Sequence, residues 1–337
     1  MNKYFLSICI PSYNRPKTLE RLLKSIDSKF HDDIQIVICE DKSPKRHEIN
    51  KVVKQYAASS FYNVKYIENE NNLGFDKNWK ELSLQAEGEF LLYMGDDDGF
   101  ISGALDTYIE WLKSHSQYCY ILRSYVRMYD KDKIEYFRYY DKDKFFEPGI
   151  EAYKSFFLKS VSMSGYTIKR ECAIQYMTTD LDNTLLFQLY LLAEVCLKYP
   201  SAYCNTPCAE LISDQVQLFG NAETEKDMFV PGTGVSGNIN FVKAYFRIAE
   251  YLDKKYKIES LPDIKLELSK YSFYFLNSQR KFGLKTYNLY VKELRKVGLD
   301  KSIYFEIYYW GLLLLGSKVC VNIIHIIKRI LGRRPNL

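Results

Sequence analysis

The sequence predicts an α/β protein whose mostly parallel sheet is flanked by helices and followed by a helical C-terminal region. Three observations carry this prediction. Short apolar strand-like segments alternate with amphipathic helical segments over the first hundred residues, polar loops follow the strands, and long helical patterns take over after residue 240. Consecutive strand–helix units favour a doubly wound parallel sheet with right-handed crossovers.

The first repeat begins with a nearly continuous apolar run over residues 4–10, the pattern of a strand buried on both faces. The segment from Pro11 to Pro16 breaks this run, and Thr18 can cap the helix that follows, whose leucines recur at helical spacing. The unit then repeats, with strands predicted over residues 34–39, 64–67 and 90–94 and helices over 48–57, 77–86 and 101–114.

The second half alternates less regularly. A strand over residues 118–128 precedes a charged, aromatic-rich excursion of hairpin type, and residues 160–170 turn through small polar residues into another short strand. A helix is predicted over residues 184–198 and a last strand from Thr206. Long helical patterns then cover residues 241–256, 263–282 and 286–297.

Composition excludes several classes of protein. The 337 residues and 47% hydrophobic content allow a sizeable core, and a net charge of +5 without a basic, aromatic-interleaved patch does not indicate nucleic-acid binding. The eight cysteines form no CxxC pair, so we expect buried, reduced thiols. The N-terminus lacks the apolar core and cleavage site of a signal peptide, so we expect a cytoplasmic protein.

Three consecutive carboxylates, Asp96, Asp97 and Asp98, follow an apolar strand in a glycine-flanked turn. Adjacent negative charges repel one another, so such a turn is either solvated or bound to a hard cation such as Mg²⁺ or Mn²⁺. In open α/β sheets the ligand lies beyond the carboxyl ends of the strands. The loops at residues 11–15, 40–43 and 96–98 should therefore meet in one cleft.

These motifs carry a family resemblance. Leu6-Ser-Ile-Cys-Ile-Pro-Ser-Tyr-Asn-Arg, Glu40-Asp-Lys-Ser, Asn72-Leu-Gly and Gly95-Asp-Asp-Asp, in this order, resemble the inverting family 2 glycosyltransferases of the Rossmann-like GT-A fold. The resemblance covers about residues 4–110. Within the family, the Gly-Asp-Asp-Asp form is most similar to bacterial transferases that build O-antigen or capsule repeat units, the abequosyltransferase-like group.

The resemblance implies a site for a nucleotide-sugar donor, most of all a UDP-sugar. It gives Asp41 a hydrogen bond to the base and Lys77 a contact with the diphosphate, while Lys42 stands at the usual glycine and leaves the geometry of that turn open. A divalent cation, Mn²⁺ or Mg²⁺, would stabilise the leaving diphosphate. The first nucleotide-binding loop would be Pro11, Ser12, Tyr13 and Arg15, and two of Asp96, Asp97 and Asp98 would hold the metal.

Inverting transfer also needs a general base opposite the leaving nucleotide. The resemblance places an acidic pair just before a helix, where this chain offers Asp182 with Asp180 behind it, although Asn183 replaces the second acid. The alternative is that Asp182 is only the N-cap of that helix. Asp214 or Gln215 stands where the family often has a histidine ligand.

The C-terminal segment predicts an amphipathic helix that associates with a membrane. Residues 303–315 are almost continuously apolar, and from Lys318 polar residues recur at intervals of three or four along one stripe. Aromatic residues at headgroup level and Lys or Arg on anionic lipid favour a helix lying on the inner face of the cell membrane. A transmembrane span and a helix packed against the bundle are the alternatives.

The sequence thus predicts a glycosyltransferase of the hexosyltransferase type. Its domain would cover residues 1–220, a helical region residues 221–302 and the membrane-associating helix residues 303–337. The partners would be a nucleotide sugar, a glycan or lipid-linked glycan acceptor and the membrane surface. A sugar-phosphate nucleotidyltransferase is an alternative, although its glycine-rich loop is replaced here by Pro11-Ser-Tyr-Asn-Arg. A non-catalytic sugar-nucleotide-binding protein is the other.

Overall fold

The computed structural model describes residues 3–130, 133–213, 225 and 235–331. The chain divides into two compact units, Met1–Glu225 and Lys226–Leu337. The first unit contains the sheet, and within the described residues the second is helical. This architecture confirms the predicted α/β fold with a helical C-terminal region, whereas the division into three domains stays a prediction.

The first unit is built on one mixed sheet. Its four leading strands form the parallel part that the sequence predicts, because each returns to the sheet through a helix. The ten described strands are β1 (Tyr4–Ser12), β2 (Ile34–Glu40), β3 (Asn63–Glu68), β4 (Gly88–Tyr93), β5 (Gly99–Phe100), β6 (Tyr120–Asp130), β7 (Lys133–Phe137), β8 (Lys144–Phe146), β9 (Tyr166–Lys169) and β10 (Ser201–Ile212).

The strand order is β3-β2-β1-β4-β9-β6-β10-β5, with β7 beside β6 and β8 beside β10. The short strand β9 runs antiparallel to both β4 and β6, so the sheet is mixed rather than fully parallel. This arrangement places the carboxyl ends of β1, β2 and β4 side by side, with the turn before β9 next to β4.

Helices cover the sheet and bury its apolar side chains. Leu6, Ile8, Ile36 and Phe90 of the sheet are fully buried in the same core as Leu22 of the first helix. The helices of this unit are α1 (Pro16–Ser25), α2 (Arg46–Ser59), α3 (Phe75–Gln85), α4 (Ala104–Ser114), α5 (Ile150–Phe156), α6 (Arg170–Gln175) and α7 (Phe187–Lys198).

Several helix starts differ from the prediction, among them those of α1 and α7. Helix α1 begins at Pro16, whose fixed φ suits the first helical turn, and Thr18 is therefore inside the helix and donates to the carbonyl of Arg15. Helix α7 begins at Phe187 rather than at residue 184. The residues before it are held in a loop by a side chain from α3, as described below.

The second unit consists, as far as it is described, of α8 (Val235–Tyr256), α9 (Leu261–Lys270), α10 (Phe273–Arg280), α11 (Leu284–Lys296) and α12 (Ile303–Leu331). The single helix predicted over residues 263–282 is two helices, because Tyr271 and Ser272 lie between α9 and α10.

Helix α12 is broken at Gly316, which has φ 76° and ψ 170°. A Cβ on Gly311 would lie 3.6 Å from the Cys320 sulfur, although nine residues span about 13 Å along a straight helix. Arg280 Nε donates to the Leu312 carbonyl at 2.8 Å, four residues before the break. The second half of α12 therefore turns back toward the first.

Candidate active site

The loops that follow β1, β2 and β4 meet at one edge of the sheet. The strands reach this edge in register, since Ser12 pairs with Glu40 and Cys9 with Tyr93. The backbone contacts continue past the strand ends, where the Met94 amide donates to the Cys9 carbonyl at 3.0 Å and the Asp41 amide to the Ser12 carbonyl at 3.1 Å.

The first loop binds directly to the acidic turn. The Tyr13 amide donates to Asp96 Oδ2 at 3.1 Å, and Arg15 Nη1 lies 3.1 Å from Asp96 Oδ1 and 2.8 Å from Asp97 Oδ2. Arg21 of α1 donates from Nη2 to the Asp97 carbonyl. The Arg15 guanidinium therefore bridges two of the three carboxylates, and the Arg21 guanidinium binds a backbone carbonyl of the same turn.

Burial changes the acidity of this turn. It raises the pKa of Asp96 to about 7, although the Arg15 guanidinium opposes the shift. Burial, with a smaller contribution from the neighbouring Asp97 carboxylate, raises the pKa of Asp98 to about 6. A divalent cation beside the turn would favour the ionised form of these groups.

Asp98 is held from the other side of the site. Its carboxylate accepts a hydrogen bond from Ser164 Oγ and another from the Ile212 amide at 2.9 Å, and the Gly95 amide donates to Ser164 Oγ at 2.9 Å. Gly165 follows with φ +82°, and a Cβ there would lie 2.9 Å from Arg123 Cγ. The turn before β9 thus lies directly against the acidic turn.

Carboxylate and hydroxyl oxygens of the acidic turn and of Ser164 crowd around Gly95. The Cβ that Gly95 lacks would lie 3.0 Å from Asp97 Oδ1, 3.2 Å from Ser164 Oγ and 3.3 Å from Asp98 Oδ2. The described residues include no group of three or more His, Cys, Asp or Glu side chains arranged for a metal. One or two carboxylates, completed by phosphate and water oxygens, are the usual protein ligands of Mg²⁺.

Asp41 is buried and organises a neighbouring loop. It accepts the amides of Leu73 at 2.7 Å and Gly74 at 2.9 Å and the Asn69 side-chain amide at 2.9 Å, and burial raises its pKa. Lys42 adopts φ +53°, so the turn keeps a glycine-like conformation with lysine in place. The sequence had left this point open.

Other residues of the predicted donor site lie at the same edge. Burial raises the pKa of the Tyr13 phenol, and the Asp41 carboxylate adds to this shift. Ser12 is buried beside Pro11 and its Oγ has no hydrogen-bond partner among the described residues. Lys77, in the first turn of α3, is half-buried and forms no ion pair within the described part of the chain.

Asp180 and Asp182 lie in the loop between α6 and α7. Asp180 is exposed, whereas the Asp182 carboxylate is mostly buried and forms an ion pair with Lys80 of α3. Asp182 is not the N-cap of α7, because that helix begins five residues later. The amides before the helix bind Asp76 instead, so the capping alternative was wrong.

The sequence did not single out Asp76, Lys80 or Arg21. Asp76 and Lys80 stand four residues apart on one helix, a spacing typical of ordinary surface pairs. Their partners lie about a hundred residues later in the chain, so no local pattern connects them. Asp214 and Gln215, considered as substitutes for a histidine ligand, lie outside the described residues.

Comparisons with known proteins agree with this geometry. A family model described as glycosyl transferase family 2 matches residues 7–169. The chain is 32% identical over 117 residues to the GalNAc(5)-diNAcBac-PP-undecaprenol beta-1,3-glucosyltransferase of Campylobacter jejuni, and 33% identical over 110 residues to an abequosyltransferase of Salmonella typhimurium. These matches cover 34% and 31% of this chain and 36% and 32% of the relatives, so the chain spans about a third of their length.

Solved structures resemble the whole chain at lower identity. A crystal structure of S. aureus TarS 1-349 matches with a TM-score of 0.52 and 15% identity, over 91% of this chain and 92% of that one. The same protein in complex with UDP-GlcNAc matches with a TM-score of 0.53, again with 15% identity and coverage of 91% and 92%. At this identity the likeness shows the fold.

Proposed function

Because residues 7–169 match the model of glycosyl transferase family 2, we propose that the chain is a member of this family and moves a sugar from a nucleotide donor to a glycan hydroxyl with inversion. The observation that carries the proposal is the convergence of the loops after β1, β2 and β4 on the Asp96-Asp97-Asp98 turn. A nucleotidyltransferase would need a glycine-rich loop after β1, where this chain has Pro11 to Arg15.

The donor lies across this edge with its diphosphate at the acidic turn. Asp97 and Asp98, which each place a carboxylate oxygen beside Gly95, are the proposed ligands of Mg²⁺ or Mn²⁺, which when bound would stabilise the charge of the leaving diphosphate. Asp96 binds the first loop through Tyr13 and Arg15, so its role is to join that loop to the turn.

Lys77 and the base pocket complete the donor site. Lys77 supplies a cation at the N-terminus of α3, a position suited to a phosphate group. Tyr13 and Asp41 face the base of the nucleotide. A uridine nucleotide is the first to test, because the TarS structure of similar fold was solved with UDP-GlcNAc.

Asp182 is the proposed general base. In-line attack requires a general base that takes the proton of the acceptor hydroxyl, and a carboxylate can serve. Asp182 is mostly buried and is held in place by Lys80, whereas Asp180 behind it is exposed.

The proposed acceptor is a lipid-linked glycan of the kind assembled into bacterial O-antigen or capsule repeat units. The support is the chemistry named for the Campylobacter and Salmonella relatives, a polyprenol-linked glycan and an abequosyl transfer. This acceptor would bring the enzyme to the cytoplasmic face of the membrane.

The second unit has features that suit such a surface. Helix α12 is long and apolar enough over Ile303–Ile327 to cross a membrane by composition. The break at Gly316, however, leaves two halves that are each shorter than the roughly 20 residues a span requires. Large apolar side chains are exposed on both halves, among them Ile307, Trp310, Leu314 and Ile323. We therefore propose a helix that lies in the interface.

Equilibrium binding of nucleotide sugars, with and without Mn²⁺, tests the donor site. We expect one nucleotide class to bind only with the metal, and Asp98→Asn to weaken this binding at least tenfold. Asp32→Asn, a change at an exposed carboxylate of the same unit, is the matched control and should bind normally. Binding that is absent or independent of metal for every nucleotide would contradict the proposal.

The base assignment has its own test. Asp182→Asn should keep donor affinity and lose transfer by at least a hundredfold, because only the proton acceptor is removed. Full activity in this variant would show that another group is the base. A wild-type protein that binds donor and never transfers sugar would be a binding protein instead.

Vesicle flotation of the full chain tests the interfacial helix. We expect the wild-type protein to float with vesicles. The double variant that combines Ile307→Asn and Leu314→Asn should remain in solution, because both exposed apolar side chains are replaced by polar ones. Phe61→Asn changes an 85% exposed aromatic residue of the first unit and should not affect flotation. Equal flotation of all three proteins would contradict the role of α12.

A further inference from the structure

We propose that Asp76 is a positioning residue that holds the loop before α7 in a strained conformation and thereby places Asp182. The inference rests on the proposed function, because it gives Asp182 the role of base. Asp76 lies in the first turn of α3, more than a hundred residues before the loop that it binds. In this role Asp76 acts through the loop and does not contact the substrate.

The Asp76 carboxylate occupies a nest of backbone amides. Its Oδ2 accepts the Thr184 amide at 2.7 Å and the Leu185 amide at 3.0 Å, and its Oδ1 accepts the Phe187 amide at 3.2 Å. Asp76 is only 2% exposed. Burial raises its pKa, and these three amides oppose that rise by stabilising the charged form.

The loop that Asp76 binds is strained on either side of Thr184. Asn183 has φ +60° and Leu185 has φ +59°, in the left-handed region that residues with a Cβ avoid. Leu185 also has a branched, buried side chain, for which this conformation is a rare exception. Such strain persists only where surrounding contacts fix the backbone, and it concentrates at functional sites.

A second contact from the same helix holds the other end of the loop. Lys80 lies one turn after Asp76, and its Nζ binds the Asp182 carboxylate and lies 2.5 Å from the Thr178 carbonyl. The same Nζ lies 4.5 Å from the centre of the Phe187 ring. Helix α3 thus binds the loop before α7 twice. Asp76 accepts its backbone amides, and Lys80 binds the Asp182 carboxylate.

This arrangement explains why a base would lie on a strained loop. Proton transfer requires the carboxylate within hydrogen-bond distance of the acceptor hydroxyl, and a displacement of about 1 Å can reduce the rate about a hundredfold. The first turn of the same helix contains Lys77, the proposed contact of the donor diphosphate. Helix α3 therefore fixes the base relative to the donor.

Asp76→Asn tests the proposal in the full-length enzyme. The amide keeps the shape of the side chain but replaces one acceptor oxygen by a donor, so at least one loop amide loses its partner. We expect kcat for transfer to fall between tenfold and a hundredfold, while the affinity for the donor changes less than threefold. The pH midpoint of kcat should stay that of the wild type, because Asp76 exchanges no proton with substrate.

A matched control separates positioning from general stability. Asp106 of α4 also binds a distant loop, accepting Ser28 Oγ and the Lys29 amide. Asp106→Asn should reduce stability and leave kcat per folded molecule unchanged. If Asp76→Asn behaves in the same way, or if it weakens donor binding as much as it lowers kcat, the positioning role is overturned.

Two further variants keep the test decisive. Asn183→Gly allows the left-handed conformation without the Cβ penalty, so in the Asp76→Asn background it should recover at least threefold in kcat. If Asp76→Asn does not fold, Lys80→Met should still lower kcat at least tenfold at unchanged donor affinity. Unchanged kcat in Lys80→Met would contradict the proposal, whereas an active Asp182→Asn would instead contradict the base assignment.

Discussion

The three consecutive aspartates have three different environments. Asp96 is joined to the first loop, Asp98 to the turn before β9, and Asp97 is more exposed than Asp96 while still paired with Arg15. Successive side chains of a turn point in different directions, so a run of identical residues does not give identical roles. We therefore propose Asp97 and Asp98 as the metal ligands, whereas Asp96 contacts the first loop.

The raised pKa of Asp96 predicts how stability depends on pH in metal-free buffer. Its pKa is about 7 in the folded protein and about 4 in an unfolded chain, so the folded state binds more protons between these values. The contribution of the Asp96 carboxyl to the free energy of unfolding is therefore fully present below pH 4 and is lost as the pH rises to 7. Urea unfolding of the wild type and of Asp96→Asn between pH 4 and pH 7 measures this loss of stability.

The expected outcome is a difference between the two curves that changes with pH. The stability of Asp96→Asn relative to the wild type should increase as the pH rises from 4 to 7, by on the order of 4 kcal/mol. Parallel curves would contradict the buried state of this carboxyl.

Gly165 gives a second prediction at the scale of one residue. It needs both a left-handed backbone and the space beside Arg123, whereas Gly103 has φ +70° with nothing within 4 Å. Gly103→Ala should lower the free energy of unfolding by about 1–2 kcal/mol. Gly165→Ala should lower it by about 1–3 kcal/mol more, because a clash is added to the strain.

Gly165→Ala should also weaken metal-dependent donor binding, since Ser164 would shift against Asp98. Urea unfolding and the donor-binding assay measure the two effects. Equal losses of stability in the two variants would show that the Arg123 side chain moves aside at little cost.

Among the elements, the four parallel strands and their helices could be predicted from the sequence. Their signal is local, an apolar run followed by a helical period. The antiparallel position of β9 between β4 and β6 could not be predicted, because it depends on partners that are distant in the chain. The start of α7 was missed for the same reason, since the Asp76 carboxylate competes with the helix for the amides of Thr184 and Leu185.

Helix α12 offers a prediction at the scale of an element. Gly316→Ala should lower the free energy of unfolding by about 1–2 kcal/mol, because φ at this residue is +76°. Gly311→Ala, in the first half of the helix, should raise it by about 0.5–1 kcal/mol, since its new Cβ would meet Cys320 at an ordinary distance of 3.6 Å. Thermal unfolding measures both changes. A stabilising Gly316→Ala would mean that α12 is straight.

For the whole molecule, charge is divided unevenly between the two units. From residue 226 onward the sequence has 20 Lys and Arg against 9 Asp and Glu, whereas the chain before it has 27 against 33. The second unit therefore carries an excess of positive charge that the total of +5 conceals. Basic segments beside apolar ones bind anionic lipid through both kinds of contact.

This division predicts that membrane binding depends on salt. Flotation with vesicles that contain phosphatidylglycerol should weaken at high salt, because the Debye length falls from about 10 Å at 0.1 M to about 3 Å at 1 M. Flotation with phosphatidylcholine alone should be weaker and nearly independent of salt. Equal binding to both kinds of vesicle would assign the attachment to apolar contacts only.

The candidate site was predictable to the extent that parallel strands bring their loops together. Tyr13, Arg15, Asp41 and the acidic turn follow three neighbouring strands, and the structure places them at one edge. The residues that hold these groups were not predictable. Arg21 and Lys80 look like ordinary helix-surface cations until the tertiary fold shows what they bind.

The central claim, inverting sugar transfer to a lipid-linked glycan, is tested most directly by a transfer assay. Full-length enzyme would be incubated with Mn²⁺, labelled nucleotide sugars and bacterial lipid extract, and the anomeric configuration of the labelled lipid would be determined by NMR. We predict label in the lipid fraction with the configuration opposite to that of the donor, and none with Asp182→Asn. Retained configuration, or label released only as free sugar, would contradict the account.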